Sequence, residues 1–84
     1  MNEIYGVFIN AELVNEGTKE ETDSFVTSEI EKIHNIYGDN NVEVLVPQKE
    51  EASQKLEDNT KVFLINVKLE KPLFFEILVI QQNG

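Results

Sequence analysis

The sequence predicts an α+β fold: one small domain over residues 1–84, in the order β-α-β-(loop)-β-β, with one long helix packed on one face of a four-stranded mixed sheet. Three observations predict it. Apolar residues alternate with a period of two from Tyr5 onward. The stretch "GTKEETDSFVTSEIEKIHNIYG", residues 17–38, carries a helical period between capping residues. The last quarter holds two dense apolar blocks separated by Glu70-Lys71-Pro72.

In the first element Tyr5, Val7, Ile9, Ala11 and Leu13 point one way, and Ile4, Gly6, Phe8, Asn10 and Glu12 the other. That alternation predicts a strand over 3–14, ended by the turn Asn15-Glu16-Gly17. Thr18 is an N-cap residue, and Glu21 three positions on completes a capping box. Val26, Ile30, Ile33 and Tyr37 then form one helical stripe, widened by Phe25 and Ile36, and Gly38 is the expected left-handed residue past the end. A helix of this span is about 28 Å long, enough to cross a sheet.

"VEVLV", residues 42–46, predicts a short strand stopped by Pro47. The polar stretch 48–60 reads as a loop or, through Ala52 and Leu56, a short helix. Residues 61–69 and 72–82 predict a β-hairpin.

That hairpin is apolar on both faces. Phe63, Ile65, Val67 and Leu69 oppose Val62 and Leu64, while Phe75, Ile77 and Val79 oppose Phe74, Leu78 and Ile80. One helix covers one face only. Val62, Leu64, Phe74, Leu78 and Ile80 therefore mark a second apolar face, larger than a soluble monomer normally exposes. Residues 48–60 folding over it, a strongly curled sheet, or a second copy would each resolve the problem. A homodimer is the expectation, because two-fold dimers are the commonest oligomers.

Composition excludes more than it assigns. The 84 residues suffice for one core, and an apolar fraction of 40% argues against global disorder despite a net charge of -9. There is no cysteine, hence no thiol chemistry. The opening "MNEIYGVFIN" lacks the pattern of a signal peptide, and no apolar run is long enough to span a membrane, so a cytoplasmic location is expected (the host cytoplasm for a phage product). All seven cations are lysine. Residues 1–43 hold ten acids against Lys19 and Lys32. Direct nucleic-acid binding and attraction to an anionic membrane are therefore excluded, and a charged partner is expected to be basic.

No catalytic set emerges, and no enzyme activity is expected. The single histidine, His34, borders the apolar helix stripe without a recognisable nucleophile, and no phosphate-binding glycine motif occurs. The oxygen-rich stretch Asp39–Glu43 lacks the spacing of a calcium loop and reads as turn chemistry. No cofactor and no metal are expected.

The surplus acids supply the leading functional expectation. Glu20, Glu21 and Asp23 complement the helix dipole, which accounts for part of the charge. Carboxylates at i, i+2 on a strand sit about 6.8 Å apart. At i, i+4 on a helix they sit about 6 Å apart. Such rows can enter cationic pockets spaced for phosphates. Glu12, Glu16, Glu20, Glu21, Asp23, Glu31, Asp39 and Glu43 are accordingly the candidate partner-binding acids of a DNA mimic.

In this respect the chain resembles the small acidic DNA-mimic inhibitors that bacteriophages direct at host DNA-binding proteins. Lys71-Pro72, the run Leu78 to Gln81 and Asn83-Gly84 are similar to the closing strand of the phage uracil-DNA glycosylase inhibitor. That echo covers about 14 residues with altered spacing. The chain lacks that family's tandem N-terminal helices, so no inhibitory residue is carried over. The resemblance implies a non-enzymatic inhibitor that blocks the basic nucleic-acid-binding surface of a host protein, such as a nucleoid protein of the HU kind. The alternative is an adaptor or immunity-type module that binds through an apolar sheet face or strand edge.

Overall fold

A computed structural model describes residues 2–46 and 61–83. The elements are β1 (Asn2–Ile9), β2 (Glu12–Gly17), α1 (Lys19–Tyr37), a short 3₁₀ turn (Asp39–Asn41), β3 (Val42–Leu45), β4 (Lys61–Val67) and β5 (Leu73–Asn83). They form a five-stranded sheet in the order β2-β1-β5-β4-β3, with every neighbouring pair antiparallel. This corrects the four-stranded mixed sheet expected from sequence. The expected loop or helix at 48–60 lies outside the described residues.

The extra strand arises because the expected single strand 3–14 folds back on itself. Asn10 and Ala11 both take positive φ, 51° and 71°. They form a two-residue hairpin loop between Ile9 and Glu12, which face each other across the pair. Positive φ at both loop positions matches the right-handed twist of the flanking strands. A residue with a Cβ is disfavoured there, and Asn-Ala lacks the glycine that normally announces such a turn. The period-two pattern running through both residues therefore conceals the reversal. A bulge follows: Val7 opposes Asn15 and Phe8 opposes Leu13. Leu13, expected beside Tyr5 and Val7, lies on the other face instead. There its Cδ1 and the Ile80 side chain cover the space a Cβ on Gly6 would occupy.

The helix begins where the chain chemistry says it should. The Glu21 N–H donates to Thr18 Oγ1 (3.1 Å), and the Thr18 N–H donates to Glu21 Oε1 (2.8 Å). Two of the backbone donors orphaned at a helix start are thereby satisfied. At the other end Gly38 has φ 90° and ψ 140°, an extended positive-φ geometry and not the left-handed helical one, and its N–H donates to the His34 carbonyl.

The face of α1 that packs is narrower than its apolar stripe. Thr22, Val26 and Ile33 are buried, whereas Ile36 is 71% exposed and Tyr37 also stands in solvent. Thr22 tolerates full burial because its hydroxyl donates to the backbone, with the Thr18 and Lys19 carbonyls at 3.1 and 3.0 Å. Below the helix lie Tyr5 and Val7 from β1, Ile65 and Val67 from β4, and Phe75 and Ile77 from β5. Burying each of these aliphatic or aromatic side chains contributes about 1.5–3 kcal/mol. This is the core, and it occupies one side of the sheet.

The second hairpin is shorter at its tip than expected. β4 ends at Val67, so Leu69 does not continue the Phe63–Val67 row. It sits in the turn at φ 68°, 93% exposed. Val42 and Val44 pair with Val67 and Ile65 on the core side, and among the described residues β3 forms one edge of the sheet and β2 the other.

Candidate binding face

Strand alternation decides what the far side of the sheet carries. With Tyr5, Val7, Ile65, Phe75 and Ile77 turned to the helix, the intervening residues point away from it. Ile4 and Phe8 from β1, Leu13 from β2, Phe74, Leu78 and Ile80 from β5, and Val62 and Leu64 from β4 all lie on this open face. None of these side chains is fully buried, and Leu13, Phe74 and Ile80 are 46%, 39% and 40% exposed. The five apolar residues singled out from sequence, Val62, Leu64, Phe74, Leu78 and Ile80, therefore share one surface. No described element packs over it.

One polar side chain stands at the centre of the face, with Glu16 and Glu43 out on its two edge strands. Glu76 lies on β5, the central strand, directly opposite Phe8 on one side and Val62 on the other. Its same-face neighbours along β5 are Phe74 and Leu78. The residue is partly buried, and among the described residues its carboxylate has no ion-pair or hydrogen-bond partner. The sequence pattern already sets Ile4 and Phe8 opposite Tyr5 and Val7; it misplaces Leu13 and leaves Glu76 without a role. The available signal was a lone acid in the run "LFFEILVI", both faces of which are otherwise apolar.

The eight candidate acids do not come together. Glu12 pairs with Ile9 on the helix side of the sheet, while Glu16 pairs with Gly6 on the open side. Glu43 also faces the open side, opposite Asn66, but on the far edge strand. Four strand spacings separate it from Glu16, about 19 Å. Glu20 and Glu31 project from the helix ridge away from the sheet. Glu21 is held in the capping box, and Asp23 meets Lys61 Nζ at 3.3 Å on the helix flank. Asp39 sits in the turn beyond the helix. No single surface collects them. Glu29, outside the candidate set, meets Lys32 at 3.1 Å.

The remaining candidates resolve into ordinary structure. His34 Nδ1 lies 2.9 Å from the Ile30 carbonyl, so the imidazole serves the helix backbone. Asn41 closes the stretch 39–43 by donating to the Tyr37 carbonyl (2.7 Å) and, through its N–H, to the Gly38 carbonyl (3.0 Å). Among the described residues no three His, Asp or Glu side chains are grouped to hold a metal. A groove of about 340 Å³ between α1 and β4 is lined by Val26, Thr27, Ile30, Phe63 and Ile77, with Asp23 and Lys61 at its mouth. A second, about 560 Å³, is lined by Asn40, Asn41, Glu43, Asn66 and Lys68. In the first, Asp23 and Lys61 are joined to each other, and no hydrogen bond links Thr27 to either among the described residues. No described helix is long and apolar enough to cross a membrane.

Comparison with known families, characterised proteins and solved structures finds no match.

Proposed function

We propose that this chain is a non-catalytic protein-binding domain whose interface is the open face of the sheet. The observation that carries the reading is the apolar surface of Ile4, Phe8, Leu13, Val62, Leu64, Phe74, Leu78 and Ile80, which no described element covers. A face of this kind costs solubility and invites aggregation unless something occupies it. The acids on the helix ridge and strand edges then act as solubilising and steering charge, drawing basic partners at long range.

Mimicry of DNA asks more of the same acids. It needs carboxylates in rows that present a continuous anionic surface, and acids spread over both sides of the sheet do not supply one. The apolar reading is favoured for that reason.

Salt and two variants test the choice. Proteins retained from lysate by the wild-type chain in 1 M NaCl should also be retained by Glu20→Gln/Glu31→Gln, and lost by Phe74→Glu. Retention that collapses in salt and with the two glutamines, but survives Phe74→Glu, would transfer the interface to the acids.

A further inference from the structure

Resting on that reading, we infer that the open face takes a partner other than a second copy of this chain: an apolar protein surface with one lysine or arginine at its centre, which pairs with Glu76. Three observations lead there. The carboxylate stands on the central strand, so any partner that covers the face covers it too. Its surroundings are apolar, with Phe8 and Val62 across the neighbouring strands and Phe74 and Leu78 along its own. Among the described residues it has no partner. Once water is excluded, a carboxylate in such a ring must be matched by a cation or a set of donors.

Among the described residues a second copy has no cation on the same face to provide the match. Packed sheets lie about 10 Å apart, so a two-fold axis near the middle of the face sets one Glu76 against the other. The described lysines are elsewhere. Lys19 and Lys32 are on the helix, Lys61 is engaged by Asp23 on the helix side, and Lys68 and Lys71 lie beyond the end of β4. The net charge of -9 adds repulsion between copies and attraction for a basic partner. The expected homodimer is therefore disfavoured by the charge nearest the centre of the surface that would mediate it.

Random 15-residue peptides displayed on phage provide the test. They are selected on the full chain and depleted on Phe74→Glu, with the fold of the variant verified by circular dichroism. The expected survivors are apolar peptides carrying a single Lys or Arg. Replacing that residue with Gln, or Glu76 with Gln in the protein, should weaken binding about tenfold to a hundredfold, the range for a charged hydrogen bond left unmade. Selection on Glu76→Lys should enrich an acidic residue in place of the basic one.

Survivors without a cation, or an affinity indifferent to Glu76→Gln, overturn the pairing while leaving the face as a binding surface. Failure to recover any peptide that distinguishes wild type from Phe74→Glu overturns the proposed interface itself. Sedimentation equilibrium showing a wild-type dimer that Phe74→Glu dissociates assigns the face to a second copy and ends the inference.

Discussion

Asn10 and Phe74 exchange two hydrogen bonds: the Asn10 N–H donates to the Phe74 carbonyl, and the Phe74 N–H donates to Asn10 Oδ1, each at 2.9 Å. The side-chain amide stands in for a backbone carbonyl and extends the β1–β5 ladder by one rung beyond Ile9–Phe75. One residue thus turns the first hairpin and anchors it to the central strand. It does both because asparagine tolerates positive φ and carries a short acceptor.

Substitutions separate those two roles. Asn10→Gly keeps the turn and loses the side-chain acceptor, for an expected cost of about 0.5–1.5 kcal/mol. Asn10→Ala loses both and should cost about 1 kcal/mol more, because its Cβ is strained at φ 51°. Urea denaturation of the two variants measures the difference. Equal stabilities would mean that the turn geometry contributes nothing.

Two other positions are strained without compensation. Ala11 at φ 71° and Leu69 at φ 68° each hold a Cβ in the left-handed region. Ala11→Gly and Leu69→Gly should each raise stability by up to about 1 kcal/mol, net of the entropy glycine adds to the unfolded chain. Leu69→Asn should do the same and reduce exposed apolar surface. Thermal melts of the single variants and their combination check additivity, which is expected because the two turns are independent.

Asn15 places a buried Oδ1 on the helix side of β2, opposite Val7, with no hydrogen-bond partner among the described residues. Asn15→Val removes the unpaired acceptor and creates a cross-strand valine pair. Stability should rise by about 1 kcal/mol in chemical denaturation. A loss of that size would show that the amide is satisfied in solution.

The capping box has a direct readout as well. Thr18→Ala removes the acceptor for the Glu21 N–H and should cost about 1 kcal/mol. Thr18→Ser should restore it. Hydrogen exchange of the Glu21 amide follows the cap itself, and its protection should fall in the alanine variant alone. By contrast, a double-mutant cycle on the exposed Asp23–Lys61 pair should return a coupling below about 1 kcal/mol.

The local chemistry of the helix was legible in the residues: Thr18 and Glu21 at cap spacing, Val26 and Ile33 at helical spacing, and Gly38 past the end. Each depends on neighbours within a turn or two of chain. The apolar character of both faces of the last two strands was legible for the same reason, since alternation is a property of one strand. The first hairpin was not. Asn10-Ala11 continues the alternating pattern through the reversal, and what stabilises the turn is Phe74, sixty-four positions away. Leu69 was placed on the core row because its register is sound, yet the chain leaves the sheet two residues earlier.

The distribution of charge likewise needed three dimensions. From the sequence alone followed a single domain with one capped helix, a surplus of acid in its leading half and more apolar strand surface than one helix can cover. Tertiary structure decided the number of strands, the separation of Glu16 from Glu43 across the sheet, and the position of Glu76 at the middle of the sheet face that points away from the helix. The physical reason is that strand order and register are set by contacts between segments distant in the chain, and those contacts determine which side chains share a surface.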